Sequence, residues 1–269
     1  MCTSFAVYNP KPIYGMNFDF PDVEVSLHIQ PGGCGDIFFL AFEWKGNLHR
    51  TAGMNACGLF SAAQMLIAAF DINHREDEAL ISPYEVFSRS LQNGSRVEHV
   101  LDILGSRRLS YTSERKGHQL YADRYGSACI LEPDREQNWI HCSHHTYTVM
   151  TNRPIQKALD RAAENIARLR VDRDQTARQI IENHLPHFGI EAGFEVLKET
   201  VLVKGRFTTQ SSIVCDPLAG EVYLALGRDF QHIWKLNLNK KTVETHAGFE
   251  TQRQWSLDGR GVTASQLQA

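Results

Sequence analysis

Cys2 follows directly on Met1, and the segment from Cys2 to Tyr8 has the β-branched and aromatic composition of a strand. An aminopeptidase can remove an initiator methionine when the next residue is small, and cysteine is small enough. Cys2 would then carry a thiol and a free α-amine on one carbon, which combines a nucleophile and a base in a single residue. A cysteine at this position can equally be incidental, so the residues that follow must decide.

The next segment predicts a β-hairpin with an acid near the thiol. Residues 2–8 and 13–20 have strand composition, and Asn9-Pro10-Lys11-Pro12 between them is a turn signal. In a hairpin centred on the middle of that turn, Cys2 lies directly opposite Asp19 and the two side chains share a face. A loop with an odd number of residues turns Asp19 to the other face instead.

In the facing register, Asp19 has a chemical role. Its carboxylate can orient a chain-terminal amine at Cys2 through a charge-assisted hydrogen bond. The reference pKa is about 8 for the amine and about 8.5 for the thiol, so either group can lose a proton near neutral pH. The structural alternative is that Asp19 only ends the strand before Pro21.

Four short segments occur in a specific order along roughly the first 155 residues. They are MCTSF at the start, YGMNFDF (14–20), GMNACGL (53–59) and MTNRP (150–154). Together they resemble the choloylglycine hydrolase family of N-terminal nucleophile amidases, which includes bile salt hydrolases and penicillin V acylases. Beyond these segments, only the strand pair TTQSSIVC and EVYLALG is similar in character to the family's later sheet.

The resemblance implies roles for individual residues. Cys2 resembles the family's nucleophile and general base, and Asp19 resembles the carboxylate that positions its amine. Asn152 is similar to the side-chain donor that stabilises the oxyanion. A second oxyanion donor is implied near Gln64-Met65, where a backbone N–H can serve and side-chain identity constrains little.

The residues around Asn152 also favour a structural role. Asn152 precedes Arg153-Pro154, and apolar residues at helical spacing predict a helix over 155–171. An asparagine at that place is a typical helix N-cap. A side chain that caps a helix is not available to an oxyanion, so the residues alone leave both roles open and the resemblance favours the second.

The chain departs from the family pattern in two places. Many family members carry an arginine near the thiol where this chain has Gly15-Met16, and a downstream family arginine has only Arg206 as a positional candidate. These departures leave the nucleophile assignment intact. They put the substrate class and the stabilisation of a thiolate in doubt.

The order of elements predicts a mixed α and β fold. The first 66 residues have strand patterns, helices are predicted over 83–93, 95–105, 155–171 and 174–200, and strands return over 208–247. The pattern alone indicates an α+β fold of mostly antiparallel strands. The resemblance implies a four-layer αββα sandwich of two mostly antiparallel sheets, the Ntn-hydrolase fold. The chain is expected to form one domain over 1–269, with a loose tail from about residue 257.

Composition narrows the function classes. The chain has 269 residues, 42% hydrophobic content and a net charge of −3, which is typical of a globular domain with a large core. This charge gives no electrostatic case for nucleic acid or an anionic membrane. No apolar run approaches the roughly 20 residues of a membrane span, and no leader pattern is present, so we expect a cytoplasmic protein. A homo-oligomer is left open.

The other thiols and the histidines have simpler interpretations. The cysteines lie far apart without a CxxC pair, which predicts reduced thiols, and only Cys34, on a glycine-rich loop, is a rival nucleophile. The tract from His141 to His145 would alternate between the two faces of a strand, so it favours a polar strand end over a metal site. We expect no metal and no cofactor.

The sequence therefore predicts a hydrolase of a non-peptide linear amide, acting through Cys2 on a small-molecule N-acyl amide. Within the same fold, the alternative is an acyltransferase, in which an amine takes the acyl group instead of water. From a different class, the alternative is a non-catalytic relative that binds an amphipathic ligand. The missing arginines motivate that last interpretation.

Overall fold

The computed structural model describes residues 2–66, 79–110, 117–133, 138–143, 146–155 and 172–269. The helix predicted over 155–171 therefore lies almost wholly outside the described residues.

The strands of the described ranges are β1 (Thr3–Val7), β2 (Ile13–Phe20), β3 (Val25–Gly32), β4 (Gly35–Trp44), β5 (Asn47–Asn55), β6 (Phe60–Met65), β7 (Leu80–Ile81), β8 (Arg108–Leu109), β9 (Gly117–Ala122), β10 (Ala128–Pro133), β11 (Asn138–Ser143), β12 (Tyr147–Thr151), β13 (Thr208–Asp216), β14 (Glu221–Leu226), β15 (Ile233–Asn237), β16 (Thr242–Ala247), β17 (Gln254–Ser256) and β18 (Val262–Thr263). The helices are α1 (Pro83–Asn93), α2 (Val97–Leu104), α3 (Arg173–His184), α4 (Ile190–Glu199) and α5 (Ala264–Gln268).

Two sheets of eight strands dominate the architecture. The first sheet has the order β12-β1-β2-β13-β14-β15-β16-β17, and the second has the order β11-β10-β9-β6-β5-β4-β3-β18. Every strand pair described within these two sheets is antiparallel. A small parallel pair, β7 and β8, lies apart from them.

Three apolar clusters separate four layers. The central cluster fills the space between the sheets and includes Tyr14, Phe38 and Phe60, which are all fully buried. A second cluster lies between the second sheet and the helices α1 and α2, and a third lies between the first sheet and the helices α3 and α4. The expected αββα sandwich of two antiparallel sheets is confirmed.

The register predicted for the first hairpin is wrong. The structure pairs Val7 with Ile13 and Thr3 with Asn17, so the same register continued places Cys2 opposite Phe18 rather than Asp19. The cause is the connection, because residues 8–12 form a loop with an odd number of residues. Side chains alternate along a strand, so the shift by one residue turns Asp19 to the opposite face from Cys2.

The tail from residue 257 is packed, contrary to the expectation of a loose end. β18 pairs with β3 at the edge of the second sheet. Leu257, Val262 and Leu267 are buried and belong to the central cluster. The periodic pattern was too short to predict a helix here, but Thr263 caps α5 with a full capping box.

A glycine-to-alanine substitution tests the corrected register. Gly15 lies opposite Phe5, and a Cβ at Gly15 would lie 2.3 Å from Cζ of that ring. We expect Gly15→Ala to lower the free energy of unfolding by about 1–3 kcal/mol through overpacking. Urea unfolding measures the change.

The matched control is Gly259→Ala, because a Cβ at Gly259 has no neighbour within 4 Å. Its unfolding free energy should change by less than about 0.5 kcal/mol. Equal and small effects in both variants would contradict the register, since Gly15 would then face a smaller neighbour such as Ala6.

Candidate active site

Strand order brings the candidate residues to one end of the first sheet. β1, which follows Cys2, lies between β12 and β2, and Thr3 pairs with both Thr151 and Asn17. Because both neighbours are antiparallel to β1, Asn152 after β12 and Asp19 near the end of β2 flank the start of the chain. The predicted neighbours Cys2, Asp19 and Asn152 therefore meet in the structure.

Cys2 lies in a cleft between the two sheets. Cys2 is only 5% exposed and packs in the central cluster. The cavity has a volume of about 380 Å³. Its lining, which we call the Cys2 cleft, comprises Cys2, Phe18, Asp19, Phe20, Phe42, His49, Arg50, Thr51, Ala63, Gln64, Met65, Leu66, Ser82, Pro83, Tyr84, Phe87, Gly117, His118 and Gln119.

The main chain of Asp19 holds the Cys2 thiol. The Asp19 N–H lies 3.4 Å from Sγ of Cys2, and the Asp19 carbonyl oxygen lies 3.8 Å from the same sulfur. Burial raises the pKa of the Cys2 thiol, the positive chain terminus lowers it, and the Asp19 carboxylate raises it further. Since the net shift is upward, the thiol keeps its proton at neutral pH and needs a base to become a nucleophile.

Both oxygens of the Asp19 carboxylate accept hydrogen bonds. Its Oδ1 accepts a hydrogen bond of 2.5 Å from Oγ1 of Thr209, and its Oδ2 accepts one of 3.1 Å from Arg173. Burial raises the pKa of the Asp19 carboxyl. The positive chain terminus, Thr209 and Arg173 oppose that shift because each favours the ionised form.

Asn152 is buried beside the cleft with its amide orientation set. Its Nδ2 donates to the carbonyl oxygen of Met65 at 2.5 Å, and its Oδ1 accepts from Arg173 at 3.2 Å. A capping asparagine uses its oxygen to accept from the backbone of its own helix. Here that oxygen accepts from a guanidinium, and the helix predicted to follow Asn152 lies outside the described residues.

The Gln64 side chain is committed within the protein. Its Nε2 donates to Oγ of Ser4 at 2.6 Å and lies 3.3 Å from the carbonyl oxygen of Met150. Those bonds use the amide hydrogens that an oxyanion would need. A backbone N–H near Gln64-Met65 as the second oxyanion donor stays a prediction.

Comparison with known families decides the class. The model of the family described as linear amide C-N hydrolases, choloylglycine hydrolase family, matches residues 46–212, which is more than half of the chain. The chain belongs to the choloylglycine hydrolase family. Its enzyme class is therefore that of the linear amide C–N hydrolases. The matched range includes Asn152 and Arg173 and begins after Cys2 and Asp19.

Solved structures share the Ntn-hydrolase fold. The C2A variant of conjugated bile acid hydrolase from Clostridium perfringens has a TM-score of 0.68 at 15% identity, covering 96% of this chain and 98% of that one. Penicillin V acylase from Agrobacterium tumefaciens has a TM-score of 0.66 at 15% identity, covering 92% of each chain. The Caenorhabditis elegans ortholog of N-acylethanolamine-hydrolyzing acid amidase has a TM-score of 0.56 at 16% identity, covering 80% and 93%. No curated protein matches the sequence.

Arg173, which no sequence motif indicated, joins two of the candidate residues. Arg173 is the first residue of α3, and its side chain is 13% exposed while that of Asp19 is 0% exposed. A cation in the first turn is unfavourable for the helix dipole, which is a signal that this arginine serves a tertiary contact. The positional candidate for the choloylglycine hydrolase family's downstream arginine, Arg206, is exposed and lies near Phe207.

Met16 stands where many choloylglycine hydrolases carry an arginine near the thiol. It is fully buried between the sheets. Burial dominates the pKa of Cys2, the positive chain terminus opposes it, and Arg173 adds a smaller downward shift. One positive charge near the thiol thus comes from a helix on the outer side of the sheet.

The alternative sites are poorly suited to the chemistry. Burial and Cys57 raise the pKa of Cys34 to about 11, so this rival thiol is not activated. His141 is exposed on an edge strand, and His144 and His145 lie outside the described residues. Within the described ranges, no group of three or more histidine, cysteine, aspartate or glutamate side chains is arranged to hold a metal. No helix among those residues has the length and apolar character of a membrane span.

Two substitutions separate the charge of Arg173 from its geometry. Arg173→Met removes the cation that lowers the pKa of Cys2, so that pKa should rise and the pH midpoint of Cys2 alkylation should move upward. Arg173→Lys keeps a cation for Asp19, so its midpoint should stay near the wild-type value. Peptide-resolved alkylation rates between pH 6 and 10 measure both midpoints.

The control is Arg178→Met, one turn further along α3, where the arginine pairs with Asp174 on the surface. Thermal unfolding of every variant reports whether the fold is kept, because removing one partner of a buried ion pair costs roughly 3–5 kcal/mol. A folded Arg173→Met protein with an unchanged midpoint would rule out the electrostatic role.

Proposed function

We propose that this protein hydrolyses a non-peptide linear amide with Cys2 as an N-terminal nucleophile, after removal of Met1. The observation that carries the proposal is the placement of the Cys2 thiol. It lies in a cleft, within contact of the main chain of Asp19, and the Asp19 carboxylate is linked through Arg173 to Asn152. Family membership supports the reaction class.

Because the pKa of the thiol is raised, the first chemical step must remove the thiol proton. The free α-amine of Cys2 takes the thiol proton, and Sγ attacks the carbonyl carbon of the amide. The Asp19 carboxylate is buried next to the start of β1. In this proposal it orients the amine that removal of Met1 frees, and the ammonium that forms from it.

The oxyanion is stabilised by Asn152 and a backbone N–H near Gln64-Met65. One hydrogen of Nδ2 in Asn152 is donated to the carbonyl oxygen of Met65, and in this proposal the second is donated to the substrate oxygen. Arg173 fixes which way the amide points, because it donates to Oδ1. The Cys2 ammonium then protonates the departing nitrogen, and water hydrolyses the thioester.

The cleft favours an apolar acyl group. Phe18 and Phe42 lie with ring centroids 4.8 Å apart, and Phe20 lies 4.6 Å from Phe42 and 5.2 Å from Trp44. Such clustered rings exclude water and gain from burying apolar surface. The substrate is then a small-molecule N-acyl amide, bound without a cofactor. A cytoplasmic location stays a prediction of the sequence.

Substitutions at the site test the proposed function. Cys2→Ala and Cys2→Ser should abolish or nearly abolish turnover of a panel of N-acyl amides with the fold kept. Asn152→Ala should lower kcat by about 100-fold or more, since one oxyanion donor is lost. Steady-state kinetics and circular dichroism measure the two effects, and Cys34→Ala is the matched thiol control that should keep wild-type rates.

Equal amidase rates in wild type and Cys2→Ala would exclude the proposed mechanism. Product analysis with added amine acceptors identifies the acyltransferase alternative, because the acyl group would appear on the amine rather than as a free acid. Met1 retained on a protein that binds amphipathic ligands without turnover would identify the non-catalytic relative that the buried Met16 motivates.

A further inference from the structure

Cys129 and Cys142 form a pair of thiols on neighbouring strands, apart from the Cys2 cleft. Cys129 in β10 lies directly opposite Cys142 in β11 in an antiparallel register. Residues directly opposite each other project to the same face of a sheet. Each thiol shifts the pKa of the other, and neither forms a disulfide in the structure.

The two thiols have contrasting environments. Cys129 is fully buried in the cluster beneath α1 and α2, whereas Cys142 is exposed. The neighbouring Cys129 thiol lowers the pKa of Cys142 to about 7, although burial and Glu98 oppose the shift. The neighbouring Cys142 thiol and burial raise the pKa of Cys129. An exposed thiol with thiolate character beside a protonated thiol is the arrangement of a peroxide-reactive cysteine and its resolving partner.

We propose that Cys142 and Cys129 are a modification site that a hydroperoxide converts into a cross-strand disulfide. The Cys142 thiolate attacks the peroxide, the O–O bond breaks, and the products are a sulfenic acid at Cys142 and an alcohol, or water from hydrogen peroxide. The Cys129 sulfur then displaces hydroxide from the sulfenic sulfur, which leaves as water with the Cys129 proton. Two thiols are oxidised in total and one hydroperoxide is reduced.

The backbone already satisfies the geometry of that bond. Directly opposed residues of an antiparallel pair have Cα atoms about 4.5 or 5.5 Å apart, depending on whether they exchange hydrogen bonds. Both separations lie within the range of about 4.4–6.8 Å that disulfides span. The Cβ atoms of opposed residues are about 4.5–5.5 Å apart and those of a disulfide about 3.5–4.5 Å, so β10 and β11 need only a small local approach for the bond to form.

A second thiol pair in the same chain provides an internal comparison. Sγ of Cys57 lies 3.5 Å from the carbonyl oxygen of Cys34. There, burial and Cys57 raise the pKa of Cys34 to about 11. The two pairs therefore differ in the direction of the shift, because the pKa of Cys34 is raised whereas that of Cys142 is lowered.

The site is independent of the proposed function. Cys129 packs under the helices on the outer side of the second sheet, while Cys2 lies between the two sheets. Neither Cys129 nor Cys142 lines the Cys2 cleft. The outcome of a test of the Cys129–Cys142 pair therefore does not bear on the proposed function of Cys2.

Alkylation and peroxide treatment test the pair. At pH 7, peptide-resolved alkylation of the wild-type protein should modify Cys142 at least about tenfold faster than Cys34, because the larger thiolate fraction outweighs the lower nucleophilicity. Treatment with a small excess of hydrogen peroxide should then yield the crosslinked peptide of Cys129 and Cys142, lighter by two hydrogens and reversible by a reductant.

Two variants make the test specific. Cys142→Ser, at an exposed position, should abolish the crosslink and leave the fold unchanged. Cys129→Ala should leave a sulfenic acid at Cys142 that a dimedone probe traps. A crosslink between Cys34 and Cys57 that forms first, equal alkylation rates at Cys142 and Cys34, or no crosslink at peroxide levels that oxidise Cys142 further would each overturn the proposal.

Discussion

One guanidinium holds the two sides of the candidate site together. Arg173 donates from one nitrogen to Asp19 and from another to Asn152, and these residues flank the strand that begins after Cys2. The planar, forked geometry of arginine lets one side chain set both positions, which a lysine cannot do. Without this contact Asp19 would lose a cationic partner and keep the hydrogen bond from Thr209, and Asn152 would lose the donor to its Oδ1.

The thiol at the centre of the candidate site has a raised pKa. Burial in an apolar layer keeps Cys2 protonated, so the proposed attack requires a base, and the proposal assigns that role to the amine of the same residue. Cys142 is the opposite case, because it is exposed and its pKa is lowered to about 7. The two proposals thus concern cysteines in different environments on different sheets.

Much of this arrangement could be predicted from the sequence, and the errors have physical causes. The hairpin pattern placed Asp19 near Cys2, and the family resemblance added Asn152. The structure supplies the reason, because β12 and β2 both run antiparallel to β1. The hairpin register was wrong because strand composition does not count the residues of a loop. A single extra loop residue then reversed the face of Asp19.

Arg173 could not be found in the same way. It is separated from Asp19 by 154 residues and is the first residue of a helix. The apolar pattern of that helix indicates which face packs on the sheet, but not which residue the arginine contacts. The packed tail was missed for a related reason, since β18 has two residues and gains its order from β3. Local patterns predict elements, whereas contacts of this kind depend on how the layers are stacked.

Trapping the acyl-enzyme tests the central claim most directly. The protein is mixed with a slowly hydrolysed N-acyl amide, quenched in acid, and measured by intact and peptide mass spectrometry. Our account predicts a chain that begins at Cys2 and carries the acyl mass on its first residue, as a thioester that hydroxylamine removes. A fully active protein that retains Met1, or an acyl group attached to any other residue, would contradict it.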